Sequence, residues 1–581
     1  MSHSPYQPAK FEKRLPGHAV WRALTVGAPV AAIVAVLILF GLTPPIGWTE
    51  QAPFRADIIW IVRTAIHYSQ LGHPVLNVAA VVDGVRSAGV ELTTSFGLGP
   101  SSAWRILTIY GAACSGALAV GVMTYSQTPY VDIRTHYAGL RLFRAPAGTF
   151  SANKFLAREI KKYGAGLLLA PRLRLSLMRE LRNILLIAAP NSGKTRIILF
   201  LIEQILAKMK NSSGTTRLLL HDTTGELRRG LPLPDNDFAA LHPHRPDGWA
   251  WAIGKDVREP FDAFAFASRL IGPTTGGENR MFDSGAVIGL TGCILLTMQD
   301  LPENWGVGEL RDTILDDPIE WRERLLTVYA PAAALIVIDP ETGGLNRTTA
   351  SFILSFRAYV LGLLEPLANA WRDTPQERRF SFVDWLHGVD ENQPATVVLV
   401  RPARHAELSE KWIGAVVDIV ASYACDESFN EDRRLRTYLV LDELHQLGRL
   451  ARLPEILDVG RNKQISVIAS YQDSIQPRKD YGDDGAQSLI ARFATKIIGQ
   501  MPLSEDSRKI SEAIIGSRDV LLGGGAARDD KPEKPITTPV VREEFLAYQL
   551  GPDEDETKAL IIGLGDVVEI TWPETVWQPR R

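Results

Sequence analysis

Along this chain, short apolar runs closed by small or polar residues alternate with longer stretches whose apolar positions return every three to four residues. Ile184–Ile187, Leu218–Leu220, Ala395–Val400, Thr437–Leu441 and Ile465–Ala469 are runs of the first kind. Arg196–Met209 and Trp412–Cys425 are of the second. Buried strands alternating with amphipathic helices predict an α/β fold, a mostly parallel sheet with helices on both faces. Ala559–Leu564 and Val567–Trp572 read as two further strands that could complete that sheet. The segments Asp262–Ile271, Gly285–Met298, Trp321–Tyr329 and Thr348–Leu364 favour helices, with breaks at Gly272-Pro273 and Gly276-Gly277.

Two segments nearer the start are apolar without interruption. Trp21–Leu42 carries one charge, Arg22 at its edge, and the second, over about 105–125, is uncharged from Ile106 to Tyr125. Each is long enough to cross ~30 Å of hydrocarbon as a helix. A cleaved signal peptide competes for the first, and buried core helices compete for both. Basic residues flank the pair: Lys10, Lys13 and Arg14 before it, and Arg134, Arg141, Arg144, Lys154, Arg158, Lys161 and Lys162 after it. Three arginines against four acids lie between. Residues 1–130 are therefore expected to be an inner-membrane anchor, with the loop 43–104 periplasmic and both basic flanks cytoplasmic.

Bulk composition narrows the partners. With 46% hydrophobic and 22% charged residues over 581 positions, the chain has room for several domains. A net charge of −3 excludes a globally basic nucleic-acid binder, so any DNA contact must come from local patches. The three cysteines are scattered and form neither a disulfide framework nor a metal-ligand spacing. His242 and His244 flank Pro243 without a third ligand and read as loop histidines.

Chemistry concentrates at two strand ends. Ala188-Ala189-Pro190-Asn191-Ser192-Gly193-Lys194-Thr195 stands between a strand and a helix, a glycine-containing loop ending in Gly-Lys-Thr. Such a loop offers backbone N–H groups and a helix N-terminus to a polyphosphate. Lys194 can reach the β- and γ-phosphates, and the Thr195 hydroxyl can ligate Mg²⁺. Ala188 occupies the place of the first glycine of that pattern, and a positive φ there would strain it. The run Thr437–Leu441 ends in Asp442-Glu443, where Asp442 can bind Mg²⁺ beside Thr195 and Glu443 can deprotonate the attacking water. Gln472 follows its own strand, placed to touch a γ-phosphate or that water. Arg461, after Gly460, could reach a neighbouring subunit's γ-phosphate as a finger. Asp442–His445 spells D-E-L-H, but His445 reads as a loop residue rather than part of a helicase box.

Asp442-Glu443-Leu444-His445-Gln446-Leu447-Gly448-Arg449-Leu450, then Leu453-Pro454, Leu457, Gly460-Arg461 and Gln472, closely resemble the coupling proteins of type IV secretion and conjugation systems (TraD/TraG type). These are relatives of the septal DNA translocases in the FtsK/HerA-like P-loop superfamily. Asp222-Thr223-Thr224-Gly225-Glu226, Leu241-His242-Pro243 through Gly248-Trp249, and Tyr481-Gly482 with Ala486 resemble further family elements. His242 departs from the family's asparagine. The resemblance implies a RecA-like nucleotide-binding domain over 131–254 and 379–581, interrupted by an all-α insertion at 255–378. It implies ATP and Mg²⁺ as cofactors, with phosphate held by Ala189, Pro190, Asn191, Ser192, Gly193, Lys194 and Thr195, and metal by Thr195 and Asp442. Lys194, Glu443, Gln472 and Arg461 would be catalytic. Expected partners are DNA bound without sequence preference, a relaxase or effector cargo, secretion-system components of the inner membrane, and further copies of the chain in a hexamer.

Two function classes follow. One is an ATPase motor that moves DNA with attached protein through a ring. The other is a docking receptor that uses nucleotide only to assemble and to recruit protein effectors without pumping DNA. The Gly523-Gly524-Gly525 segment through Pro535 reads as a flexible linker in either case.

Overall fold

The computed structural model describes residues 134–578, apart from 213, 244, 246–247, 273–279, 391, 432 and 523–534, together with the short pairs 11–12 and 131–132. Both expected membrane spans and most of the expected linker lie outside the described residues. The chain divides into two units, residues 1–136 with 520–536, and residues 137–519 with 537–581. In the first, Phe11–Glu12 pairs antiparallel with Val131–Asp132. Everything below concerns the second.

Its centre is an eleven-stranded sheet. In chain order its main strands are β1 (Ile184–Ile187), β2 (Thr216–Asp222), β3 (Phe238–Leu241), β4 (Thr396–Val400), β5 (Arg436–Leu441), β6 (Ile465–Tyr471), β7 (Thr495–Ile498), β8 (Glu556–Leu564) and β9 (Asp566–Pro573). The spatial order is β9-β8-β7-β1-β6-β5-β2-β4-β3. The seven strands from β7 to β3 are all parallel, whereas β8 joins β7 antiparallel and β9 joins β8 antiparallel. The expected α/β architecture is what forms. β3 and β7 are not apparent in the sequence, because Phe-Ala-Ala-Leu and Thr-Lys-Ile-Ile lack the unbroken run of large apolar residues that marks β1.

Alternation within each strand sorts side chains to two cores. Ile184, Leu186, Leu218, Leu220, Tyr438 and Val440 face a core that includes Ile197, Leu201 and Ile205 of helix α1 (Lys194–Lys210). Leu185, Ile187, Leu219, Leu439 and Leu441 face the opposite core, shared with the helices that follow. These are α2 (Pro260–Ile271), α3 (Arg280–Asp300), α4 (Val307–Leu315), α5 (Pro318–Val328), α6 (Arg347–Trp371) and α7 (Ala406–Ala424). Phe282–Asp300 and Arg347–Trp371 are long and apolar enough to cross a membrane by length and composition alone. Here Leu290, Ile294 and Leu296 of α3, and Phe356, Val360 and Leu364 of α6, are buried in the protein core.

Local chemistry explains where these helices begin. Pro260 takes the first position of α2, and the Asp262 carboxylate accepts from the backbone N–H groups of Arg258 and Glu259. Asn346 caps α6 by accepting from the Thr349 N–H at 2.7 Å.

The entrance and exit of the helical stretch are tied together. Ala250–Trp251 pairs parallel with Arg379–Phe380. Beneath that pair, the fully buried Asp256 accepts from Trp251 Nε1 at 2.7 Å, Ser381 Oγ at 2.6 Å, Phe382 N at 2.9 Å and Val383 N at 3.0 Å. Replacing Asp256 by alanine strands four buried donors at once. We expect Asp256→Ala to cost about 3 kcal/mol in urea unfolding, whereas an alanine at the exposed Asp312 should cost under about 0.5 kcal/mol.

Candidate nucleotide site

Parallel register brings the ends of β1, β6, β5 and β2 to one edge. Ile187 lies opposite Tyr471, Leu441 opposite Ala469, and Leu441 opposite His221. The residues that follow these strands therefore meet, as expected for ligands at the carboxyl ends of a parallel sheet.

The loop after β1 keeps extended pairing for one more step, since Ala188 N donates to Tyr471 O at 3.1 Å and Ala189 N to Gln500 O at 3.0 Å. Ala188 is fully buried and is not among the positive-φ residues, so the strain anticipated there is absent. Its methyl fits because Gly499 stands opposite: a Cβ on Gly499 would lie 2.7 Å from the Ala188 Cβ. The small residue at this contact stands just past the end of the neighbouring strand β7. Asn191 and Gly193 take left-handed conformations (φ 59° and 83°), and Gly193 begins α1. Pro190 and Asn191 are exposed, Ala189 and Thr195 half-buried, and Ser192 buried with its hydroxyl donating to Ala189 O.

Lys194 sits between the two predicted carboxylates, its Nζ 3.1 Å from Glu443 Oε1 and 3.4 Å from Asp442 Oδ1. Its side chain is only 8% exposed. Ser470 Oγ donates to Asp442 Oδ1 at 2.8 Å and accepts from Glu443 N at 3.0 Å. On the other side, His221 Nδ1 lies 2.7 Å from the Asp442 carbonyl. Burial drives the His221 imidazole down to about 4, so the ring is neutral near pH 7, and with Nδ1 protonated it donates to that carbonyl. Between these supports Glu443 adopts a left-handed conformation (φ 50°, ψ 62°), a strain of roughly 1 kcal/mol for a residue with a Cβ.

Gln472 Nε2 donates to Glu443 Oε1 at 2.8 Å, and Gln446 Nε2 donates to Glu443 Oε2. Burial pushes the Glu443 carboxyl up, but the Lys194 charge and the Gln472 hydrogen bond outweigh it and hold the acid below its ordinary range. Glu443 is thus an ionised acceptor, the state a general base requires.

One ammonium and two carboxylates leave a local excess of one negative charge, with the Thr195 hydroxyl on the next residue. That donor set suits a magnesium ion carried in with a polyphosphate, and the left-handed Gly193 gives the loop the tight turn a phosphate cradle needs. Among the described residues no cluster of three His, Cys, Asp or Glu forms a self-contained metal site, so the oxygens of a bound phosphate and water would complete the shell.

Arg461 is not part of this assembly. It is exposed, in the turn leading into β6, while Gln472 follows the other end of that strand roughly 20 Å away. Asp222 caps the next helix, accepting from Gly225 N and Arg228 N at 2.8 Å each. His445 lies in a short turn with Nε2 3.4 Å from Gln476 Nε2, as a loop residue would. His244 lies outside the described residues. Sequence reasoning did not single out Ser470, His221 or Gln446 as site residues. A polar side chain interrupting a buried apolar strand, as at Ser470 and His221, was the available signal.

A mostly parallel α/β sheet with a lysine and paired acids at its strand ends fits a RecA-like fold. The chain belongs to the type IV secretion-system coupling proteins: the family model for their DNA-binding domain matches residues 168–526, more than half of the chain. A search of curated proteins finds no match. Among solved structures, the unbound bacterial conjugative coupling protein TrwBdeltaN70 aligns with a TM-score of 0.60 and 19% identity, over 77% of this chain and 96% of that one. The plasmid coupling protein TrwB in complex with ADP and Mg²⁺ aligns at 0.59 and 18%, over the same shares. TrwB with a non-hydrolysable ATP analogue aligns at 0.58 and 19%, again over 77% and 96%.

The Ala188–Gly499 contact makes a double-mutant prediction. Gly499→Ala should destabilise by about 2 kcal/mol through overpacking. Adding Ala188→Gly should restore at least half of that loss, a coupling read from thermal or urea unfolding of the four proteins.

Proposed function

We propose that this protein is an inner-membrane ATPase of the coupling-protein family. It binds ATP with Mg²⁺ and uses hydrolysis to pass DNA, with its attached protein, into a type IV secretion channel. The observation that carries this reading is the placement of Lys194 within hydrogen-bond or ion-pair reach of both Asp442 and Glu443 at the strand ends. Family membership supplies the DNA, and the TrwB complexes with ADP–Mg²⁺ and an ATP analogue support the cofactors.

The chain's own residues divide the work. Lys194 exchanges its carboxylate partners for the β- and γ-phosphates, and the N–H groups of Gly193, Lys194 and Thr195 at the start of α1 would face the same oxygens. Thr195 and Asp442 would hold Mg²⁺, which neutralises phosphate charge when bound. Glu443, released from Lys194, is free to accept a proton from the attacking water. Gln472, held through its backbone N–H by Gln476 Oε1 at 2.8 Å, reports on the γ-position. Arg461, exposed and far from its own chain's site, would act on a neighbouring copy in a ring. We assign 131–254 and 379–581 to the nucleotide domain, 255–378 to the helical insertion, and residues 1–130 to a two-span anchor with both flanks cytoplasmic.

Lys194→Ala should reduce ATP hydrolysis by at least about 100-fold and abolish transfer, while the variant still binds cargo and DNA. Hydrolysis by the unsubstituted chain should rise with added DNA, measured at low salt because backbone charge dominates such contacts. Transfer that survives Lys194→Ala would favour the docking receptor, and DNA-independent hydrolysis would favour a receptor for protein cargo alone.

A further inference from the structure

The C-terminal hairpin β8–β9 lies beyond the residues matched by the family model, yet it touches the phosphate loop. Thr557 of β8 is fully buried, and a Cβ built on Gly193 would fall 2.5 Å from its Cγ2 and 2.7 Å from its Oγ1. Any side chain at position 193 would therefore collide with Thr557, apart from the strain of its positive φ. The Thr557 hydroxyl has no hydrogen-bond partner, although the side chain is sealed from solvent. The same face of α1 meets the chain that follows β9. Arg196 pairs with Glu574 at 2.8 Å, leaving its Nη1 buried and unpartnered, and Trp577 Nε1 donates to Glu203 Oε1 at 2.9 Å.

A buried hydroxyl without a partner costs stability, and valine would fill the same volume at no such cost. Its place against Gly193 gives the hydroxyl something to do only when the loop changes. We propose that Thr557 is a positioning residue of the nucleotide site: its methyl sets the Gly193 turn, and its hydroxyl bonds the loop once a nucleoside triphosphate is seated. This rests on the nucleotide reading above. Entry of a triphosphate draws Lys194 off Glu443 and Asp442, and the Gly193–Thr195 turn moves with it. The re-seated turn satisfies the Thr557 hydroxyl, so part of the nucleotide's affinity comes from a segment far away in the chain.

Thr557→Val tests this because the two effects have opposite signs. In the full chain the nucleotide-free melting temperature should rise or stay unchanged. The dissociation constant for ATP–Mg²⁺ should increase about three- to tenfold, the value of one hydrogen bond. Thr557→Ser, which restores a hydroxyl, should recover tight binding while melting lower through loss of the methyl. Unaltered affinity in Thr557→Val would overturn the proposal. So would a lower nucleotide-free melting temperature, or failure to fold, since either marks a merely structural threonine. If the unsubstituted chain bound ATP–Mg²⁺ no better than Lys194→Ala, the nucleotide reading itself would fail, a result distinct from either of these.

Discussion

The ion contacts of Lys194 with Asp442 and Glu443 depend on everything else being in register. The lysine comes from the first turn of α1 and the acids from the end of β5, two strands away across β6. A shift of one residue in the β1–β6 or β6–β5 pairing would reverse every side chain on the shifted strand and misplace the cluster. The two buried cores enforce that register, because each strand presents apolar side chains to both faces. Hydrophobic burial thus fixes a polar geometry that it does not itself contain.

Two neighbours of β5 refine the result. Ser470 on β6 and His221 on β2 bond the same dipeptide from opposite sides, one through hydroxyl contacts and one through a backbone carbonyl. Their combined hold keeps Glu443 in a conformation that a residue with a side chain rarely adopts. The strained turn carries the carboxylate back across the strand end toward Lys194 and Gln472 instead of out into solvent. Strain of this size is small beside the bonds that maintain it, so its location at the carboxylate proposed as general base reads as arrangement rather than defect.

The sheet and the two acids were legible because they rest on local signals: apolar runs, strand-terminal carboxylates, and a loop ending in Gly-Lys-Thr. β3 and β7 were not, since Phe-Ala-Ala-Leu and Thr-Lys-Ile-Ile, diluted by small or polar residues, acquire strand identity only from neighbours. Ala188 shows a subtler limit. Sequence alone treated the missing glycine as a fault in the loop, whereas the contact is made by Gly499, more than three hundred residues later. Thr557 is the same kind of case, an ordinary threonine in an ordinary strand until the fold sets it against Gly193. Pairings between distant segments leave no mark on either segment by itself.

Under the proposed function, hydrolysis would do work only if the carboxylate assigned as base is mechanically joined to what moves. The turn after Glu443 supplies that joint. Gln446 bonds Glu443 from within the turn, and Arg269 of α2 donates to the carbonyls of Leu447, Arg449 and Glu410. The space that the Arg269 guanidinium occupies exists because position 414 on α7 is glycine, where a Cβ would lie 1.8 Å from Nη2. The first helix of the helical stretch is therefore bonded to the backbone only a few residues beyond Glu443. In the proposed exchange of Lys194 from Glu443 to phosphate, the carboxylate would lose its ion-pair partner, and the turn it anchors is the one Arg269 holds. Contiguity of this kind transmits motion only through an element with two stable arrangements. The 444–449 turn, with a positive φ at Gly448 (60°) and only a single short helical turn at Leu444–Leu447, is the least regular segment between Glu443 and Arg269, and under the proposed function it is the candidate for such an element.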